Sequence, residues 1–134
     1  MKRLALTILT VAVLALPVCA QPPTAVADVP FGFVAGNATM PAGRYVVNVS
    51  TSSFAVALVG ADLHTHFLTS IPNGVRSSSQ LPQLIFHRYG SHYFLSEIRT
   101  PSTSREFTMS RSERESAKAA GGARTGQEIV LAMR

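Results

Sequence analysis

From Val26 to Arg99 the chain alternates short apolar runs with Gly, Pro, Asn and Ser, the rhythm of strands and turns. The first run, Val26 to Val34, places Val29, Phe31 and Phe33 on one face by period two. Pro30 cannot donate to a ladder, so this run belongs at an edge or carries a bulge. Met40-Pro41-Ala42-Gly43 fits a type I turn, and the strand Arg44 to Ser50 then points Tyr45, Val47 and Val49 one way. Phe54 to Val59 is apolar on both faces and reads as central. Gly60-Ala61-Asp62 turns the chain into Leu63 to Ile71. Pro72 to Pro82 reads as a loop and is the segment best placed for mobility. Gln83 to Tyr89 and His92 to Arg99 meet across Gly90-Ser91, a two-residue hairpin turn. Thr100 to Ser104 reads as a polar loop.

The periodicity then changes. Ser110-Arg111-Ser112-Glu113 has the spacing of a capping box, with the serine capping the third helical residue and the glutamate reaching back. A helix from about 111 to 120 follows, with Glu113 and Glu115 on its solvated side and Gly121-Gly122 as its stop. Its apolar face is thin, so it lies on the domain without building its core. A last apolar strand, about 128–133, needs a partner and is expected to return to the sheet and help close it. Seven strands and one short C-terminal helix predict a mainly β fold, a small antiparallel β-sandwich or partly closed barrel.

Residues 1–20 follow a different logic. Lys2 and Arg3, the uncharged run Leu4 to Leu16, Pro17 and then Val18-Cys19-Ala20 have the order of a cleaved signal peptide. The run is too short for the roughly 20 apolar residues of a membrane span, so no transmembrane segment is expected to remain. Cleavage after Ala20 leaves residues 21–134 as one exported β domain, in the periplasm or outside the cell. Cys19, the only cysteine, leaves with the signal. The remainder holds no disulfide and no thiolate site, and burial alone must stabilise it. Without Lys2 and Arg3 the net charge of +5 falls to +3, and the basic residues are scattered, which argues against a nucleic-acid partner.

Several motifs together carry a resemblance. They are Asp28-Val29-Pro30-Phe31, Gly36-Asn37, Pro41-Ala42-Gly43-Arg44-Tyr45, Phe86-His87-Arg88-Tyr89-Gly90 and Tyr93-Phe94-Leu95-Ser96-Glu97-Ile98, followed by Arg105-Glu106 and Ser110 to Glu115. In order and spacing the chain resembles a family of small exported acidobacterial proteins. Arg99 stands where that pattern has an aromatic, and His92 where it has a different polar residue. The family brings no activity, so the resemblance implies export and fold alone.

Candidate chemistry is sparse. His64 and His66 form a His-x-His pair that a strand would point to one face, opposite Leu63 and Phe67, with a third metal ligand available from His87 or His92. Against this stands the reading of solvent-facing strand histidines, with no metal and no cofactor. Glu97 falls in the apolar run 93–98, sharing a face with Tyr93 and Leu95. There it is either a desolvated general acid or a structural carboxylate paired with Arg88 or Arg44. No Gly-x-Ser-x-Gly turn, phosphate loop, dinucleotide fingerprint or calcium loop occurs. The aromatic residues build the core or line a groove. The leading expectation is a non-enzymatic binding or envelope-associated module. Its partner would be an apolar ligand, a peptide, an envelope component or a second copy of the chain. The alternative is a small hydrolase or metal-dependent enzyme centred on the His64/His66 face or on Glu97.

Overall fold

A computed structural model describes residues 24–74, 80–121 and 126–134. The segment 1–20 expected to be a signal peptide, residues 75–79 of the loop expected to be mobile, and Gly122 of the helix stop lie outside the described residues.

The fold is mainly β, with eleven strands and one helix among the described residues. In chain order these are β1 (Thr24–Val29), β2 (Phe33–Ala35), β3 (Ala38–Met40), β4 (Gly43–Val49), β5 (Ala55–Val59), β6 (Thr65–Thr69), β7 (Ile71–Asn73), β8 (Gln83–Tyr89), β9 (His92–Arg99), β10 (Ser104–Glu106), α1 (Arg111–Ala119) and β11 (Gln127–Ala132). The count exceeds seven for local reasons. Pro30 splits the first run into β1 and β2, and a break at Ser70 splits another into β6 and β7. The short strands β3 and β10 lie mostly where the pattern assigns no element, meeting the expected turn at Met40 and the expected loop at Ser104, and β7 takes Pro72 and Asn73 out of the expected loop 72–82. Pro72 sits within β7, which pairs only with β10, so the missing N–H faces an unpaired edge.

One sheet has the order β1-β4-β5-β6 and the other β11-β8-β9-β10-β7, with β2 joining β9 in parallel and β3 pairing β2. Both pack on a common core that draws Ala27, Val47, Val56 and Leu58 from the first sheet and Leu84, Phe86, Leu95 and Ile98 from the second. Phe31 stacks on Tyr93, with centroids 3.8 Å apart, and Phe33 meets both Tyr45 and Phe86 edge-on.

The sheets are linked on both sides. Val26 and Arg134 exchange backbone hydrogen bonds of 2.8 and 3.0 Å, which stitches β1 to the end of β11, and Met133 is buried in the core beside that seam. On the other side β6 runs directly into β7, so one strand crosses between the sheets at Ser70. Ser70 donates from both its N–H and its hydroxyl to the Phe54 carbonyl. The terminal strand therefore returns to the sheet beside β8 and helps close it at the Val26–Arg134 seam, as its apolar pattern implies. Among the described residues no helix is long and apolar enough to cross a membrane.

Candidate functional site

The β8–β9 hairpin sets the geometry of the site. Tyr89 opposes His92 across Gly90-Ser91, and Gly90 takes the left-handed conformation that a tight hairpin turn needs (φ 60°). His87 opposes Phe94, but the register then slips: Phe86 opposes Leu95 while Ile85 opposes Glu97, leaving Ser96 as the extra residue of a β-bulge. A bulge inverts every side chain beyond it. Ile98 turns into the core opposite Leu84, and Glu97 turns to the outer side with Ile85. The expectation that Glu97 shares a face with Tyr93 and Leu95 is thus corrected.

Glu97 is 8% exposed and is held as a structural carboxylate. Its partner is neither Arg88 nor Arg44 but Arg99, which donates from Nε and Nη2 at 2.9 and 2.8 Å, with Ser104 Oγ donating to the same carboxylate. Burial pushes the Glu97 pKa up. The hydrogen bonds from Arg99 and Ser104 outweigh it, and the net shift is downward. A general acid needs the opposite direction.

The histidines do not converge. His64 precedes β6 in an exposed turn, with Nδ1 3.3 Å from the Asp62 carbonyl, so strand alternation does not yet apply to it. His66 shares the inner side of β6 with Leu68 and lines a shallow recess of about 190 Å³ with Tyr45 and Asp62. Leu63 and Phe67, the residues expected opposite them, are 82% and 75% exposed. His87 and His92 belong to the other sheet, and His92 is exposed at its hairpin tip. Among the described residues no group of three or more His, Cys, Asp or Glu side chains is gathered to hold a metal.

What the structure does assemble lies where α1 meets β8. Ser110 caps the helix by accepting from the Glu113 N–H, as the capping-box spacing requires. The Glu113 side chain does not reach back to complete the box. It turns inward, 5% exposed, and its Oε1 lies 3.1 Å from His87 Nδ1. The placement of Glu113 on a solvated face is corrected: Glu113 and Ala117 are the two buried residues of α1, and Ala117 packs on Tyr89 and Phe94. The Glu113 hydrogen bond raises the His87 pKa against the effect of burial, and the charges of Glu113, Glu128 and Glu106 add to the rise. The Tyr89 hydroxyl is buried nearby, beside Glu113 and the Gly126 backbone, and burial raises its pKa.

Beside this pair opens a cleft of about 440 Å³. Ile71, Phe107 and Met109 give it apolar surface, while His87, Ser96, Glu106, Thr108 and Glu113 give it polar groups. Glu106 is exposed and in no ion pair among the described residues. Sequence reasoning named His87 but not its partner 26 residues away, and no local signal in the sequence links the two. No family model matches the chain, and neither a curated protein nor a solved structure matches it.

Proposed function

We propose that this chain is an exported, non-enzymatic β module that binds a small ligand in the cleft beside the His87–Glu113 pair. The observation that carries the reading is the cleft itself. Its volume of about 440 Å³ falls in the range of roughly 300–1,000 Å³ typical of ligand sites, and it combines apolar walls with a few convergent polar groups. The exposed carboxylate of Glu106 and the apolar Ile71, Phe107 and Met109 favour a ligand with an apolar body and a cationic or hydrogen-bond-donating head. Export rests on the order of residues 1–20.

Benzylamine, with benzyl alcohol as its neutral control, tests this by amide chemical-shift mapping. Benzylamine should shift His87, Ser96, Phe107 and Thr108 saturably, and Thr108→Trp, which fills the cleft, should abolish the shifts. Shifts that map elsewhere, or that survive Thr108→Trp, refute the site.

One observation favours a second reading. A histidine held at Nδ1 by a buried carboxylate is the base-and-orienter half of a nucleophilic hydrolase, and Ser96 and Thr108 line the same cleft. On this reading a nitrophenyl ester is hydrolysed by the protein and not by His87→Gln. Equal rates for the two proteins exclude it.

A further inference from the structure

All seven carboxylate side chains lie among the described residues. Asp28 pairs with Arg44 and Arg134, Asp62 with His64, Glu97 with Arg99, Glu113 with His87, and Glu115 with Arg111. Glu106 and Glu128 are exposed and in no ion pair among the described residues. Arg105 belongs to none of these pairs, although it is only 6% exposed.

Arg105 faces inward because it opposes Ile98, a core residue, in the β9–β10 register. Among the described residues its side chain makes one hydrogen bond, and that bond crosses to the other sheet. Nη2 donates to the Ser50 carbonyl at 2.8 Å, where β4 enters its turn to β5. Nε is buried and has no hydrogen-bond partner among the described residues. A guanidinium presents five N–H donors and keeps its proton in any protein setting. A buried charge is tolerated when it is paired, and one carbonyl neither neutralises this one nor occupies its fork. Clamping the β4–β5 turn to the opposite sheet would need only one neutral donor, so the clamp alone does not account for an arginine.

We propose that Arg105 is an anion site: its guanidinium takes a small oxyanion, a carboxylate or a phosphate, that reaches it at the β4–β5 turn. Residues 51–55 are exposed and Ser50 is half-buried, so this turn is the solvent side of the guanidinium. Ser50, Ser52 and Ser53 cluster there: Ser50 Oγ accepts from the Ser53 N–H at 3.1 Å and meets Ser52 Oγ at 3.4 Å. The Ser50 carbonyl ties this serine cluster to a planar fork whose geometry matches a carboxylate or phosphate bidentately. The site is independent of the cleft, which Arg105 does not line.

The test is a titration of the ¹⁵N-labelled protein with sodium acetate and, separately, with sodium phosphate. Ionic strength is held constant with sodium chloride. The readouts are the arginine Nε–H resonances and thermal unfolding. One Nε–H resonance, assigned to Arg105 by its absence in Arg105→Lys, should shift saturably. At ten times the dissociation constant, the unfolding equilibrium constant should fall about elevenfold. Arg105→Met should lose this response. A response to acetate alone marks a carboxylate site, one to phosphate alone a phosphate site, and one to both a general oxyanion site. An Arg105 resonance unmoved by either anion overturns the proposal, as does equal stabilisation of Arg105→Met. Should Arg105→Met fail to fold, the wild-type resonance decides the question alone.

Discussion

Replacing Glu113 with Gln tests the ion pair that joins the helix to the sheet. The substitution keeps the side-chain volume, and it leaves the cap intact because Ser110 bonds the backbone N–H of residue 113. It removes the charge facing His87 across 3.1 Å, in a pair whose side chains are 17% and 7% exposed. A hydrogen bond to a charged group contributes about 1.5–3 kcal/mol, against about 0.5–1.5 kcal/mol for a neutral one. The expected loss while His87 is protonated is therefore about 1–2 kcal/mol. The folded pKa of His87 is raised, chiefly by the Glu113 hydrogen bond. Its contribution is thus complete below the unfolded value of about 6.5 and fades as pH climbs through the folded value. Urea unfolding of both proteins at pH 6 and at pH 9 should show the full gap at the lower pH and a clearly smaller one at the higher. A histidine NMR titration should show His87 above about 6.5 in the wild type and lower in Glu113→Gln. An equal stability gap at both pH values, or a wild-type His87 titrating below the unperturbed value, would refute the reasoning.

Other substitutions probe the frame around the site. Leu63 occupies the left-handed position (φ 63°) closing the turn from Gly60, where a Cβ is unfavourable, so Leu63→Gly should gain about 0.5 kcal/mol after its own entropic cost. A lower unfolding midpoint in that variant would contradict the strain argument. Arg99→Met strips the main partner from the buried Glu97 carboxylate and should cost about 3 kcal/mol at pH 6. Because the Glu97 pKa is depressed, the stability it brings is present above about pH 4.3 and is lost as pH falls through the folded value. The Arg99→Met gap should therefore narrow in acid. Met133→Ala empties a core position beside the β1–β11 seam and should cost about 2–4 kcal/mol in denaturant unfolding. A loss under about 0.5 kcal/mol, the scale of surface changes, would mean the last strand does not close the core.

Periodicity and turn chemistry carry a definite part of this fold. The hairpin at Gly90-Ser91, the inward set Tyr45, Val47 and Val49, the helix start at Ser110 and the return of the last strand are local or period-two features, and each stands in the structure. What the pattern could not carry are events that break the period or join distant residues. Leu63 in a left-handed turn delays the start of β6 to Thr65, which is why His64 sits apart from His66, and the core position of Leu68 puts its neighbour Phe67 on the outer side. The bulge at Ser96 has a larger effect. With regular pairing Ile98 would lie outside and Glu97 inside, an arrangement that exposes a large apolar side chain and buries a carboxylate in the core. One extra residue exchanges the two, and the exchange delivers Glu97 to Arg99 and Ser104. The apolar run 93–98 therefore misleads as an alternating strand because its apolar residues serve different cores, Leu95 and Ile98 within the sandwich and Phe94 under α1. The same helix explains why Glu113 escapes a sequence reading. Its capping role is satisfied by its backbone alone, which frees the side chain for a histidine that only tertiary packing brings near.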